Sequence, residues 1–255
     1  MESLAPTLVE QVASVALFVL IIMTAVLSLR SWRRQVRAVN TLRGSVVLSA
    51  DLRAWYMSHL APLEDFCVGW GIRPAALSFL QLGGSLLVAW AYARGLLFTG
   101  GWLLLAIGTL DIIDGRVARR TNSSSARGAF LDSVVDRYAD ALALTGLAIF
   151  FRASWVLWAV QLALLGSVMV SYTRARGEAL GVTAHVGLLQ RPERYVILGF
   201  GTMFGALWDR VAAPLLGWPH SLTIATIVAV AVLVNFSAVQ RATHIWRALD
   251  NHAEA

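Results

Sequence analysis

Asp111, Asp114, Asp132 and Asp136 lie on two successive segments of a chain that is otherwise greasy enough to live in a membrane. An ionised carboxylate inside a bilayer-spanning helix costs about 2.5–3.5 kcal/mol even on the lenient insertion scale, and four brought together repel unless cations sit among them. On a helix, Asp111, Asp114, Gly115 and Ala118 share one face, and Asp132, Asp136 and Asp140 share another. Thr121, Asn122, Ser123, Ser124, Ser125 and Gly128 give the connection a loop composition, which predicts two antiparallel neighbouring helices with their carboxylates opposed. An all-oxygen ligand set, with no histidine or cysteine nearby, favours Mg²⁺ or Mn²⁺ over zinc or copper. Arg116, Arg119, Arg120 and Arg127 ring the same mouth, and their forked guanidinium groups suit phosphate oxygens. Gly115 and Ala118 leave room for a flat ligand against the helix. Together these residues describe a metal-dependent diphosphate site at a membrane surface.

The elements that must carry this site follow from composition. The 255 residues are 58% apolar and 14% charged, with a mean hydropathy of +0.66, whereas soluble domains carry about 25% charged residues. Apolar windows near residues 12–29, 76–98, 101–119, 129–151, 153–174, 193–213 and 221–240 predict an all-α polytopic membrane bundle of seven helices. Their continuous apolar character excludes the alternating strands of a β-barrel. Glu2 and Glu10 precede the first window and Arg30, Arg33, Arg34 and Arg37 follow it, the pattern of an uncleaved anchor. Residues 1–47 are thus read as anchor and basic stretch, 48–245 as an interfacial helix plus a six-span body, and 246–255 as a polar tail.

All 21 basic residues are arginine; Arg94, Arg152 and Arg210 fall on one side of alternating helices, Arg137 within a span, and the rest on the other side. The arginine-rich side, with the aspartate notch, is expected in the cytoplasm and the chain in the cell membrane. The net charge of +6 is therefore a topology signal, complementary to anionic lipid headgroups, and no footprint of a nucleic acid. Leu48, Leu52, Trp55, Tyr56 and Leu60 recur at helical spacing and predict a helix lying on the interface. Trp55, Trp70, Trp102, Trp155, Trp208 and Trp218 stand near span ends as interfacial anchors. Gly201 and Gly205 permit close helix packing within or between protomers. The single cysteine, Cys67, excludes an internal disulfide and reads as a small buried hydrophobe; His185 reads as a solvated loop residue. Arg137 is expected to pair with a carboxylate, and Asp140 with Arg137 or another span.

The spacing Asp111-x2-Asp114-Gly115-x2-Ala118-Arg119-x8-Gly128-x3-Asp132-x3-Asp136 matches the signature of the CDP-alcohol phosphatidyltransferase family, which the chain resembles over about residues 60–245. The resemblance implies a six-helix core to which the N-terminal anchor is an addition, a homodimer, and transfer of a phosphatidyl group from CDP-diacylglycerol to a hydroxyl acceptor with release of CMP. It implies two divalent ions on Asp111, Asp114, Asp132 and Asp136, with Asp136 as general base, and contact of the cytidine diphosphate with Gly115, Ala118, Arg119 and Gly128. The stretches Ser171–Glu178 and Gln190–Arg194 are similar to the branch that makes phosphatidylinositol phosphate and related lipids. That similarity implies Ser171, Arg174, Arg191 and Arg194 as holders of the acceptor's phosphate, although the branch commonly carries lysine where Arg174 stands. Glycerol 3-phosphate is the next acceptor in order, followed by unphosphorylated serine or inositol. A membrane prenyltransferase would explain the carboxylates but not the Gly115, Ala118, Arg119 and Gly128 spacing. A cation-coupled transporter would call for internal repeats and broken midplane helices, which the sequence lacks.

Overall fold

The structure, a computed structural model, describes residues 50–183 and 186–253. The expected anchor at 12–29, the boundary at 47/48 and His185 lie outside the described residues. All regular structure among the described residues is helical, and the chain divides into two compact units at Ile72/Arg73.

In the first unit, helix α1 (Ala50–Gly69) covers the stretch expected to form an interfacial helix and extends it by about two turns. Leu60, Glu64 and Cys67, one helical face, are buried, while Leu63, Phe66 and Trp70 are exposed. Gly71, at φ 64°, ends it in the left-handed turn that glycine accommodates, and the Ile72 N–H donates back to the Cys67 carbonyl at 2.9 Å.

The second unit holds six helices: α2 (Pro74–Ala93), α3 (Leu97–Arg120), α4 (Ala126–Phe150), α5 (Val156–Ala179), α6 (Arg191–Leu216) and α7 (Ser221–Ala253). Their ends are written locally. Pro74 opens α2, where its missing N–H costs nothing. The Ser125 hydroxyl caps α4 by accepting from the Gly128 N–H at 3.1 Å, and the Glu193 carboxylate caps α6 by accepting from the Gln190 N–H at 2.7 Å. Four helices, α2, α3, α5 and residues Ser221–Asp250 of α7, are long and apolar enough to cross a membrane. At 25 and 26 residues, α4 and α6 have the same reach but carry the charged residues of the site. Six of the seven expected spans are therefore helices here, and α7 continues into most of the expected tail.

The helices pack in a closed ring, α2–α4–α5–α7–α6–α3, each touching two neighbours closely. This corrects the expectation that α3 and α4, joined by a short loop, lie side by side. Instead α2 stands between them. The reason lies in small residues: Gly84 of α2 lies under Ile107 of α3, and Gly146 of α4 lies against the Ala89 backbone of α2. Close approach to α2 on both sides leaves α3 and α4 parted, with their aspartates facing the ring interior. A Cβ at Gly146 would stand 2.8 Å from the Ala89 Cα. Gly146→Ala is therefore expected to cost ~1–3 kcal/mol, measured as a lowered thermal midpoint in detergent.

An apolar core including Val88, Tyr92, Leu104, Leu147, Val160, Leu198, Val230 and Val234 fills the ring away from the aspartates. Phe150 and Phe151 meet the His220 ring at 5.2 and 5.9 Å; Arg94 caps α2 and Arg152 follows α4, whereas Arg210 lies inside α6, six residues before its end. Gly201 and Gly205 seat Thr226 and Thr223 of α7, so this small-residue face is used within the protomer. Trp155, Trp208 and Trp218 are exposed near helix ends, as anchors at an interface would be, and Cys67 is buried as expected.

Candidate active site

The last turns of α3 and the first turns of α4 bring Asp111, Asp132 and Asp136 together, with one carboxylate oxygen of each within 4.8 Å of the others. Asp114, one turn further along α3, stands apart from this group. It is buried and accepts from the Ser78 hydroxyl of α2 at 2.8 Å. Like charges at such distances need a counter-charge, and α6 provides one. Arg191 Nη1 lies 2.6 Å from Asp111 Oδ1 and 2.7 Å from Asp136 Oδ1, and its Nε lies 3.2 Å from Asp140 Oδ1. Its guanidinium also donates to the Tyr195 hydroxyl at 2.9 Å and stacks 4.8 Å over that ring.

Asp140 completes a second pair with Arg194 Nη2 at 2.7 Å, so it is neutralised from α6, as one branch of the sequence reading held. Arg137 lies 3.8 Å from Asp136 Oδ2 and donates to the Ser133 carbonyl. Gln81 of α2, unforeseen from sequence, donates from Nε2 to Asp111 Oδ1 at 3.4 Å and to Asp136 Oδ1 at 3.3 Å.

The donor set fits divalent cations. The three converging groups offer only carboxylate oxygens, which suits Mg²⁺ and Mn²⁺. Asp132 Oδ1 is buried without a hydrogen-bond partner, and the space between Asp111 and Asp136 already holds the positive nitrogen of Arg191. Gly115 sits beside Arg119, whose Nη1 lies 3.4 Å from where a Cβ at this position would stand. Ala118 is half-buried on the same face, and Gly128 lies exposed in the first turn of α4, its N–H spent on the Ser125 cap.

Next to the aspartates, α4, α5, α6 and α7 enclose a cleft of about 230 Å³ whose walls include Asp136, Ser171, Arg174, Arg191, Arg194 and Arg241. All four residues expected to hold an acceptor's phosphate line this one space. Arg191 and Arg194 are at the same time committed to carboxylates, whereas Arg174 leans on Glu178 at 2.9 Å near the surface. One η-nitrogen of Arg194, Nη1, is buried and unpartnered.

Arg241 is the wall residue that sequence reading missed, because in one dimension it is simply another arginine ending the last span. It is buried, donates from Nε and Nη2 to the Val186 carbonyl at 3.0 and 2.9 Å, and donates from Nη1 to the Val170 carbonyl at 2.7 Å. The Leu189 N–H adds a bond to the Ser237 hydroxyl at 2.9 Å. The described parts of the α5–α6 connection are thus tied to α7. A larger hollow of about 420 Å³, between that connection and Gln240, Thr243, His244 and Arg247, contains none of the aspartates.

Residues 72–234 match the family described as CDP-alcohol phosphatidyltransferase. Among curated proteins, the archaetidylinositol phosphate synthase of Methanothermobacter thermautotrophicus is 38% identical over 62% of this chain and 75% of its own length. The phosphatidylinositol phosphate synthase of Streptomyces avermitilis is 34% identical over 83% of this chain and 87% of its own length. Among solved structures, the phosphatidylinositol phosphate synthase of Mycobacterium tuberculosis with CDP-DAG bound superposes with a TM-score of 0.62 at 27% identity, covering 72% of this chain and 92% of that one. The same protein has been solved in complex with manganese and citrate, again with a TM-score of 0.62.

Proposed function

The chain belongs to the CDP-alcohol phosphatidyltransferase family, an integral membrane phosphotransferase, and from that premise we propose that it transfers a phosphatidyl group from CDP-diacylglycerol to inositol phosphate. The observation that carries the choice of acceptor is the arginine-walled cleft opening directly beside Asp136. A cleft of about 230 Å³ lined by charged side chains suits a small polyol phosphate and not a lipid tail. The names of the relatives support the same reading.

In this reading the acceptor's phosphate rests against Arg174, Arg194 and Arg241, with Ser171 donating its hydroxyl, and the attacking hydroxyl faces Asp136. Asp136 takes the hydroxyl proton as the acceptor oxygen bonds to the β-phosphorus of CDP-diacylglycerol. The bond from that phosphorus to the bridging oxygen breaks, and CMP leaves with the electron pair. Two divalent ions, Mg²⁺ or Mn²⁺, held by Asp111, Asp114, Asp132 and Asp136 supply neutralisation of the charge that grows on the diphosphate. Gly115, Ala118 and Arg119 receive the cytidine diphosphate on the α3 face, and Gly128 with its cap shapes the mouth. The arginine-rich end faces the cytoplasm, the membrane is the cell membrane, and the enzyme works as a homodimer. The family match leaves the prenyltransferase and transporter readings without support.

CMP release by the purified protein with CDP-diacylglycerol and Mn²⁺ is expected with inositol phosphate and not with glycerol 3-phosphate, inositol or serine. Arg194→Gln is expected to raise the KM for inositol phosphate at least about tenfold, the loss of one charge-assisted contact of ~1.5–3 kcal/mol. Equal release with glycerol 3-phosphate would overturn the choice of acceptor and leave the reaction class standing.

A further inference from the structure

α2 contributes no carboxylate to the site, yet it stands between the two helices that do. Gln81 is the point at which it reaches them. The side chain has 0% exposure, its Nε2 spans Asp111 Oδ1 and Asp136 Oδ1 at 3.4 and 3.3 Å, and its Oε1 has no hydrogen-bond partner among the described residues. A fully buried amide with an unpaired oxygen is a poor choice for packing, because an apolar side chain of the same length would fill the space without stranding a polar atom. The two oxygens it touches are the pair that Arg191 Nη1 holds from the opposite helix. α3 and α4 are not among the closely packed helix pairs, so groups reaching in from other helices help to set how far apart Asp111 and Asp136 lie. A neutral donor adds to the spacing that Arg191 imposes without cancelling any further negative charge, so the pair keeps its attraction for a cation when Arg191 gives way to one.

We propose that Gln81 is a positioning residue of the cation site, whose amide spans Asp111 and Asp136 and holds them at the separation that divalent ions require. The proposal rests on the reading that these aspartates hold such ions. It is tested on the full chain in detergent by titrating Mn²⁺ and following the free-ion signal by electron paramagnetic resonance, with Gln81→Met and Gln81→Leu as volume-conserving variants that lack the amide.

Both variants are expected to bind Mn²⁺ about tenfold more weakly, the scale on which groups supporting metal ligands act. The Mn²⁺ concentration for half-maximal CMP release shifts with it, while the KM for CDP-diacylglycerol at saturating Mn²⁺ stays within about twofold. The metal-free thermal midpoint stays within about 4 °C of wild type, a change of ~1 kcal/mol, because the stranded Oε1 and the two donor contacts to Asp111 and Asp136 are lost together. Unchanged Mn²⁺ affinity in both variants overturns the proposal, as does weakened affinity accompanied by a metal-free midpoint lowered well beyond that, which would mark Gln81 as a packing residue. Wild-type protein that binds no Mn²⁺ overturns the metal reading together with it. Wild-type protein that binds Mn²⁺ but ignores inositol phosphate refutes only the acceptor.

Discussion

Asp136→Asn is expected to lower the rate of CMP release by ~10²–10⁴, the usual worth of a positioned proton acceptor, while the protein still binds Mn²⁺. Asp136 is the one aspartate that belongs both to the carboxylate group on the ring interior and to the wall of the acceptor cleft. In the proposed reaction that is where the acceptor hydroxyl and the diphosphate meet. The asparagine has the same shape and keeps one oxygen toward the cations, so Asp111 and Asp132 with that oxygen retain most of the binding. What it cannot do is accept a proton. Single-turnover CMP release beside an Mn²⁺ titration separates the two properties. Near-native turnover would refute the assignment of Asp136 as base, and loss of Mn²⁺ binding would recast it as a ligand first.

Arg191→Gln is expected to destabilise the metal-free protein by roughly 3–5 kcal/mol, the penalty for leaving buried charges without their partner. The guanidinium touches Asp111, Asp136 and Asp140, and its side chain is only 15% exposed. Removing it leaves Asp140 paired with Arg194, takes the 2.6 and 2.7 Å cation contacts away from Asp111 and Asp136, and leaves Arg137 at 3.8 Å beside Asp136. A divalent ion supplies the missing charge, so added Mn²⁺ raises the thermal midpoint of the variant more than that of wild type. Thermal unfolding with and without Mn²⁺ reads both effects. A metal-free variant as stable as wild type would show that the carboxylates do not depend on Arg191.

The aspartate motif, the six helices of the second unit and three of the arginines that wall the cleft, Arg174, Arg191 and Arg194, were legible in the sequence because each is a local pattern. Asp111 to Asp136 sit at fixed helical spacing, and Ser171, Arg174, Arg191 and Arg194 fall in two short stretches. What could not be read was how helices that are not consecutive meet. A short loop between α3 and α4 suggests direct packing, and only the small residues at Gly84 and Gly146, which gain meaning once α2 is placed, separate the two. Ser78 and Gln81 carry no local signal of their role, since their partners stand between 30 and 55 residues further along the chain. Arg191 was legible as a cation but not as the one that lies among the aspartates. Its spacing from Arg194 gives no hint that both reach Asp140.

The contacts of Arg241 are made entirely to main-chain carbonyls, those of Val170 and Val186. Every amino acid carries such an oxygen. What these three bonds require of the sequence is therefore a single letter, the arginine, and the other two positions can drift without erasing them. A side chain that grips main-chain oxygens in this way makes no demand on the side chain of either partner, so these bonds give no physical reason for Arg241 to co-vary with Val170 or Val186.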